Sequence, residues 1–150
     1  MPGKKIYSRD GRAPIPKKEA TSRIMSSIKS RNTKPELILR RALWDHGIRG
    51  YRLYWNKVPG RPDIAFPGKK IAIFVNGCFW HRCPHCNPPF PKSHSGFWEN
   101  KFERNIERDI RKVELLTNNN WKVIVIWECK IRNELKNCLS TISSIVNENH

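Results

Sequence analysis

The sequence predicts an α/β protein with a mixed central sheet and one small metal-bound lobe. Two apolar runs, residues 71–75 and 121–127, have the length and composition of buried strands. A long segment with apolar residues at helical spacing separates them. Three thiols and two imidazoles lie within nine residues shortly after the first run, which indicates a metal site at the end of that strand.

Length and charge restrict the class of protein. We expect one domain over residues 19–150 with a hydrophobic core. Residues 1–18, rich in Lys and Arg, are interpreted as a flexible basic arm, and a low-complexity tail is the alternative. The net charge of +16 favours a polyanionic partner, DNA or RNA. No apolar run approaches the roughly 20 residues of a membrane span and no secretory signal is recognisable, so we expect a cytoplasmic protein.

The first half of the domain predicts two helices followed by three strands. Apolar spacing indicates a helix over residues 21–30. Thr33, Pro35 and Glu36 form the start of a second helix with a capping box, and Gly47 ends it. Strands are expected at three places, separated by turns that contain Pro and Gly: residues 51–55, 63–66 and 71–75.

The second half predicts a helix, a strand and a helix after an irregular, proline-rich loop. Ser95 is expected to cap a long helix. The apolar stripe of that helix consists of Trp98, Phe102, Ile106, Ile110, Val113 and Leu116. A buried strand follows at residues 121–127, then a helix at residues 133–146 in which Cys138 has a core position.

Four thiols are candidates for a tetrahedral zinc site, namely Cys78, Cys83, Cys86 and Cys129. Cys83 and Cys86 have the spacing of a chelating knuckle, and neighbouring strands would bring Cys129 to the same loop. His85 is an alternative ligand in place of Cys83 or Cys86. Four protein ligands leave no open position, so we expect one structural Zn²⁺ in a reducing compartment.

Acidic and imidazole side chains near the strand ends are candidates for chemistry on phosphate. Asp63 opens a strand beside the run that ends at Val75 and Asn76, where a carboxylate and a carbonyl could hold Mg²⁺. Asp63 is equally explained as a turn residue that caps Arg61 or the backbone. His81 is a candidate general base, with a zinc ligand or a surface histidine as the alternatives.

Aromatic and basic side chains near the loop indicate contact with nucleic acid. Phe79, Trp80 and Trp98 are candidates for rings that insert between base steps, although the spacing of Trp98 suits a helix core equally well. The basic residues along the long helix are either phosphate contacts or a solvated face: Arg104, Arg108, Arg111 and Lys112.

Together these motifs resemble those of the very-short-patch repair (Vsr) endonucleases. The matching strings are Gly-Arg-Pro-Asp at 60–63, Phe-Val-Asn-Gly-Cys-Phe-Trp-His at 74–81, Phe-Trp at 97–98, Asn-Ile-Glu-Arg-Asp at 105–109 and Val-Ile-Trp-Glu-Cys at 125–129. The resemblance implies a restriction-endonuclease-like fold. It also implies an enzyme that nicks duplex DNA 5′ to the thymine of a T:G mismatch left by deamination of 5-methylcytosine.

The resemblance also implies roles for single residues. Asp63 and the carbonyl of Val75 would hold Mg²⁺, with two ions expected, and His81 would act as the base. Asp109 would orient His81, and Glu36 corresponds to a functional acidic residue, although its capping role explains it as well.

Further implications concern the rings and two departures from the family pattern. Phe79, Trp80 and Trp98 resemble the rings that wedge beside the mismatch. Asn76 stands where some relatives have His and cannot exchange protons near pH 7. Cys83 stands where relatives often have His, which suits zinc equally well.

The expected partner is double-stranded DNA with a T:G mismatch, bound by a monomer in a bacterial cytoplasm at the nucleoid, without a membrane. Two other functions stay open. One is a zinc-stabilised DNA-binding protein without catalysis, and the other is a restriction-type nuclease that cuts both strands. The motifs do not fix the recognised sequence context or contacts with other mismatch-repair proteins.

Overall fold

A computed structural model describes residues 31–148. The expected basic arm at residues 1–18 and the predicted helix at residues 21–30 lie outside the described part of the chain. Both therefore stay predictions from the sequence.

Within the described residues, four strands form one mixed sheet. They are β1 (Arg52–Leu53), β2 (Ile64–Phe66), β3 (Ile71–Asn76) and β4 (Lys122–Trp127), and their order across the sheet follows the chain. The first three strands pair in antiparallel fashion, whereas β3 and β4 are parallel. A 3₁₀ turn, Pro67–Lys69, connects β2 to β3. The prediction of a mixed central sheet is confirmed.

Helices cover both faces of this sheet. In the described part of the chain they are α1 (Lys34–Asp45), α2 (Ser95–Asn118), α3 (Glu128–Asn133) and α4 (Leu135–Glu148). None of these helices is long and apolar enough to cross a membrane.

The alternation of side chains along β3 explains why two cores form. Ile71 and Ile73 point to the side where α1, α3 and α4 supply the main core, which includes Cys138. Ala72 and Phe74 point to the other side, where Leu116 of α2 covers them. As predicted, β3 is buried on both faces.

The start of α1 agrees with the sequence. Thr33 is the N-cap, its hydroxyl accepts a bond from the backbone N–H of Glu36, and the Glu36 carboxylate accepts the backbone N–H of Thr33 at 2.8 Å. The helix ends at Asp45, and Gly47 follows with a φ of +78°. The two reciprocal hydrogen bonds between Thr33 and Glu36 hold Glu36 at the edge of the sheet.

The prediction for α2 was wrong in two respects. Ser95 is the first helical residue rather than the cap, and His94 precedes it without a capping hydrogen bond from its side chain. Phe102 and Leu116 are buried, but Ile106 and Ile110 are 40% and 53% exposed. Only one face of this 24-residue helix packs on the sheet. The apolar stripe is wider than that face, so part of the stripe is exposed to solvent.

Other elements also differ from the prediction. The expected first strand is reduced to the two residues of β1. β4 is not fully buried, since it is an edge strand with Val125 37% exposed. The final helix, predicted at residues 133–146, is α4, whereas the short helix α3 directly after β4 was not predicted. The chain breaks between these two helices at Glu134, which has a φ of −138°.

Candidate active site

A cleft of about 580 Å³ opens where β3 ends. Most of the residues that the sequence singled out for catalysis and Mg²⁺ lie along it, together with two of the three rings. The lining includes Glu36, Asp63, Val75, Asn76, Phe79, Trp80 and His81. It also includes Lys112, one of the four basic residues that the sequence offered as phosphate contacts, and Glu128, to which the sequence assigned no role.

Asp63 is held at the cleft by the backbone of β3. The last β2–β3 pair is Ile64 with Ile73, so β2 offers no partner to the backbone beyond that point. The Asp63 carboxylate takes this place and accepts the N–H of Val75 at 2.7 Å. Asp63 thus caps the backbone, as one alternative foresaw, and lines the cleft as well.

A second carboxylate lies beside Asp63, although neither β2 nor β3 contains an acidic residue. Glu36 reaches the cleft from α1 and is 4% exposed. The backbone N–H and hydroxyl of Thr33 donate to one of its oxygens, each at 2.8 Å, and Tyr54 donates to the other at 3.1 Å. Burial, with a further contribution from Glu36, raises the pKa of Asp63 to about 6, and the Val75 N–H opposes the rise.

His81 and Asp109 form a hydrogen-bonded pair at the same cleft. His81 Nδ1 lies 2.6 Å from Asp109 Oδ2, and each side chain is about a quarter exposed. This bond leaves His81 Nε2 as the ring nitrogen that is free of Asp109, and the ring lines the cleft. The arrangement is that of an imidazole oriented by a carboxylate, which suits proton transfer.

The three candidate wedge rings belong to one aromatic cluster beside the cleft. The ring centroids of Phe79, Trp80 and Trp98 lie 5.1–5.7 Å apart, and each ring is half-buried. Trp98 also stacks on the buried ring of Phe102, at 5.7 Å. The two interpretations of Trp98, wedge and core, are therefore compatible. The ring packs on Phe102 and is still partly exposed at the surface.

Polar contacts fix the segment that carries these rings. The amide of Asn105, a buried residue of α2, donates to the carbonyl of Trp80 at 3.0 Å. The guanidinium of Arg82 lies over the Phe102 ring at 4.5 Å and donates to the carbonyl of Pro88. The rings are thereby attached to α2 and to the proline-rich loop.

The four predicted thiols come together at the end of the parallel strand pair. The Sγ atoms of Cys78, Cys83, Cys86 and Cys129 lie within 4.8 Å of one another. The Sγ atoms of Cys83 and Cys129 are 3.7 Å apart. Tetrahedral Zn²⁺ with bonds of about 2.3 Å requires about 3.8 Å between sulfurs. The four thiols fit the coordination of one metal ion by four sulfur ligands, and we predict that this ion is zinc.

His85, the alternative ligand, is not part of this group of thiols. It is exposed, and its ring contacts Trp127 at a centroid distance of 6.3 Å. Its backbone N–H donates to Cys83 Sγ at 3.3 Å. Burial raises the pKa of the Cys78 thiol. Burial acts in the same sense on Cys83, but backbone N–H groups outweigh it and lower the pKa of that thiol.

Sequence reasoning missed two residues that shape the site, Glu128 and Tyr54. Glu128 lines the cleft and accepts the backbone N–H of Cys78 at 3.2 Å. Its position directly after β4 was the available signal, because β3 and β4 are parallel and end at the same edge. Tyr54 supports Glu36, and no motif indicated this contact. Lys112, one of four candidate phosphate contacts on α2, enters the cleft, and the sequence did not distinguish it from the other three.

Known proteins resemble the chain over most of its length. A family model described as DNA mismatch endonuclease Vsr matches residues 14–87. The Type II nicking enzyme V.XorIIP of Xanthomonas oryzae pv. oryzae is 40% identical over 72% of this chain and 79% of its own. The DNA mismatch endonuclease Vsr of Escherichia coli K12 is 34% identical over 83% and 79%, respectively. The Type II nicking enzyme V.NaeI of Lentzea aerocolonigenes is 39% identical over 79% and 73%.

Proposed function

The chain belongs to the Vsr family of DNA mismatch endonucleases, and from that premise we propose that it nicks one strand of duplex DNA 5′ to the thymine of a T:G mismatch. It is an endonuclease that acts on DNA. The proposed setting is very-short-patch repair of deaminated 5-methylcytosine, by a monomer in the cytoplasm at the nucleoid.

One observation carries this proposal. The Asp63 and Glu36 carboxylates lie together in the cleft that His81 also lines. A group of two acids with an oriented imidazole is suited to hydrolysis of a phosphodiester. Binding of DNA without catalysis does not require a carboxylate whose ionisation is disfavoured by burial. The alternative of a zinc-stabilised DNA-binding protein therefore explains the cleft less well.

The donor set fits Mg²⁺, which prefers carboxylate and carbonyl oxygens. Asp63 and the carbonyl of Val75 would hold it, and Glu36 supplies a further carboxylate beside them. A buried carboxylate whose ionisation is disfavoured, as that of Asp63 is, would be stabilised in its charged form by a divalent cation. When bound, Mg²⁺, with two ions proposed, would activate water and stabilise the charge that develops on the phosphate.

The protein groups have separate roles in this proposal. His81 takes up a proton through Nε2 while Asp109 holds its Nδ1. Asn76, 8% exposed and at the cleft, hydrogen-bonds water or phosphate and exchanges no proton. Phe79 and Trp80 enter the base stack at the mismatch, where unstacking costs least.

Cleavage of matched substrates tests the proposal. A panel of T:G duplexes in varied sequence contexts is incubated with Mg²⁺, and the corresponding T:A duplexes serve as controls. We expect one nick, 5′ to the mismatched thymine, and Asp63→Ala should abolish it while leaving DNA binding nearly intact. Asp45→Ala is the matched control, because Asp45 is 60% exposed and lies at the end of α1.

Two outcomes would replace the proposal with its alternatives. Tight binding without a nick in any context would favour a zinc-stabilised binding protein. Conversion of supercoiled plasmid to linear DNA rather than nicked circles would favour a nuclease that cuts both strands.

A further inference from the structure

Lys112 is a cation of α2 that lies inside the cleft rather than on the solvated face of the helix. Arg104, Arg108 and Arg111 on the same helix are exposed, whereas the Lys112 side chain is 25% exposed and lines the cleft. Its methylene groups pass along Gly60, where an added Cβ would lie 2.9 Å from Lys112 Cγ. Gly60, with a φ of +83°, therefore leaves room for this side chain.

The contacts of the Lys112 ammonium leave part of its bonding capacity unused. Nζ lies 3.5 Å from Asp109 Oδ1 and 5.2 Å from the centroid of the Phe74 ring. A charge-assisted hydrogen bond is about 2.7–2.9 Å long, so the Asp109 pair is loose. An ammonium has three donors, and a further acceptor in the cleft can approach it.

Positively charged side chains are few in the lining of the cleft. The chain has a net charge of +16, yet three carboxylates line the cleft, those of Glu36, Asp63 and Glu128. These carboxylates repel a phosphodiester unless positive charge, from bound metal or from a side chain, lies near it. The other positively charged side chain in the lining, Arg61, is exposed, whereas Lys112 is fixed between helix and sheet.

From this placement we propose that Lys112 is a catalytic residue whose ammonium contacts the scissile phosphate. The inference rests on the proposed function, since it requires that a phosphodiester is cleaved in this cleft. Lys112 stabilises the negative charge that increases on the phosphate oxygens as the bond to the leaving oxygen breaks. The alternative is a structural role, in which Lys112 only balances Asp109 behind His81.

The test is a cycle that pairs Lys112→Met with a neutral phosphate. Met keeps the unbranched side chain beside Gly60 and removes the charge. A T:G duplex carries either the natural phosphate or a methylphosphonate 5′ to the mismatched thymine. Binding is measured with Ca²⁺ in place of Mg²⁺, and product gels verify that the DNA stays intact.

A phosphate contact predicts a specific pattern of losses. On the natural duplex, Lys112→Met should weaken binding roughly tenfold, as expected for loss of a charged hydrogen bond. On the methylphosphonate duplex, the parental protein and the variant should bind about equally. With Mg²⁺, the single-turnover nicking rate of the variant should fall about 10²-fold even at saturating protein, and Lys112→Arg should recover part of it.

Lys122→Met is the matched control. Lys122 Nζ also lies 3.5 Å from a carboxylate oxygen, that of Glu148, but Lys122 is at the end of the sheet away from the cleft. This variant loses the same charge and an ion pair of the same length. It should still distinguish the natural from the neutral phosphate as the parental protein does.

The outcomes separate this inference from the proposed function. If Lys112→Met weakens binding to both duplexes by the same factor while the parental protein nicks T:G DNA, the phosphate contact is refuted and the structural role stands. If the parental protein nicks no T:G duplex in any context, the proposed function itself fails, and Lys112 loses its proposed substrate with it.

Discussion

Replacing Asp63 by Asn should stabilise the fold while it removes activity. Burial and the neighbouring Glu36 raise the pKa of Asp63 from 3.8 to about 6. Between these two pH values the folded protein binds more protons than the unfolded chain, so the free energy of unfolding falls as pH rises from about 4 to about 6. Above that window the charged carboxylate remains a cost to the fold.

The size of this cost follows from the two pKa values. Their difference corresponds to about 3 kcal/mol at pH 8, and partial exposure of the side chain reduces it to about 2 kcal/mol. Asn resembles the protonated acid, and its carbonyl can still accept the N–H of Val75. At pH 8 without Mg²⁺, Asp63→Asn should therefore melt about 6 °C above the parental protein.

Divalent metal should reverse the comparison. Mg²⁺ that binds only the folded parental protein stabilises it by mass action, and the variant should gain little. Thermal melts at pH 4 and pH 8, with and without Mg²⁺, measure both effects, and no chelator is added because it would also remove the zinc that we predict. Asp45→Asn is the control, since a surface substitution should change stability by less than about 0.5 kcal/mol.

The reasoning about Asp63 would be refuted by one result above all. If Asp63→Asn is less stable than the parental protein at pH 8 without Mg²⁺, the charged carboxylate stabilises the folded state. Burial and repulsion from Glu36 would then not destabilise it. A stability difference that is unchanged between pH 4 and pH 8 would refute it as well.

Three further predictions concern the metal lobe, the rings and the base. Purified protein should carry close to one Zn²⁺, and Cys129→Ala should lose it and lower the melting temperature; metal analysis that finds none would contradict this. Trp80→Ala should reduce the preference for T:G over matched DNA more than overall affinity, which a competition assay measures, whereas equal losses would not fit a wedge. Trp98→Ala should in addition cost roughly 3 kcal/mol of stability in urea melts, because its ring supports the cluster. His81→Ala should slow single-turnover nicking roughly 10²–10⁴-fold with little change in binding, and a parental rate would exclude it as the base.

The sequence predicted best what depends on local signals. The capping box at Thr33, the buried strand β3 and the thiol cluster each follow from residues close together in the chain, and the structure has all three. Most of the candidate catalytic residues also line one cleft, which opens where β3 ends.

What the sequence left undecided depends on tertiary contacts. Periodicity placed Ile106 and Ile110 in the core of α2, but the width of the sheet decides which side of that helix is covered. The local sequence assigned Glu36 a capping role, and only the resemblance to the Vsr endonucleases implied a function. Its position beside Asp63 exists only after α1 packs on the sheet. Lys112 was one of several basic residues on a helix, and nothing local distinguishes it from Arg111.

The parallel pairing of β3 with β4 also affects how the protein folds. The paired residues Ile71 and Lys122 are about 50 positions apart, and closing so long a loop before any contact forms slows folding. Residues from both ends of this loop line the cleft. We therefore expect the active site to form late in folding, when the basic chain can already bind DNA. Cys78 and Cys129 follow the two strands, and zinc that bridges them would hold the loop closed and accelerate refolding.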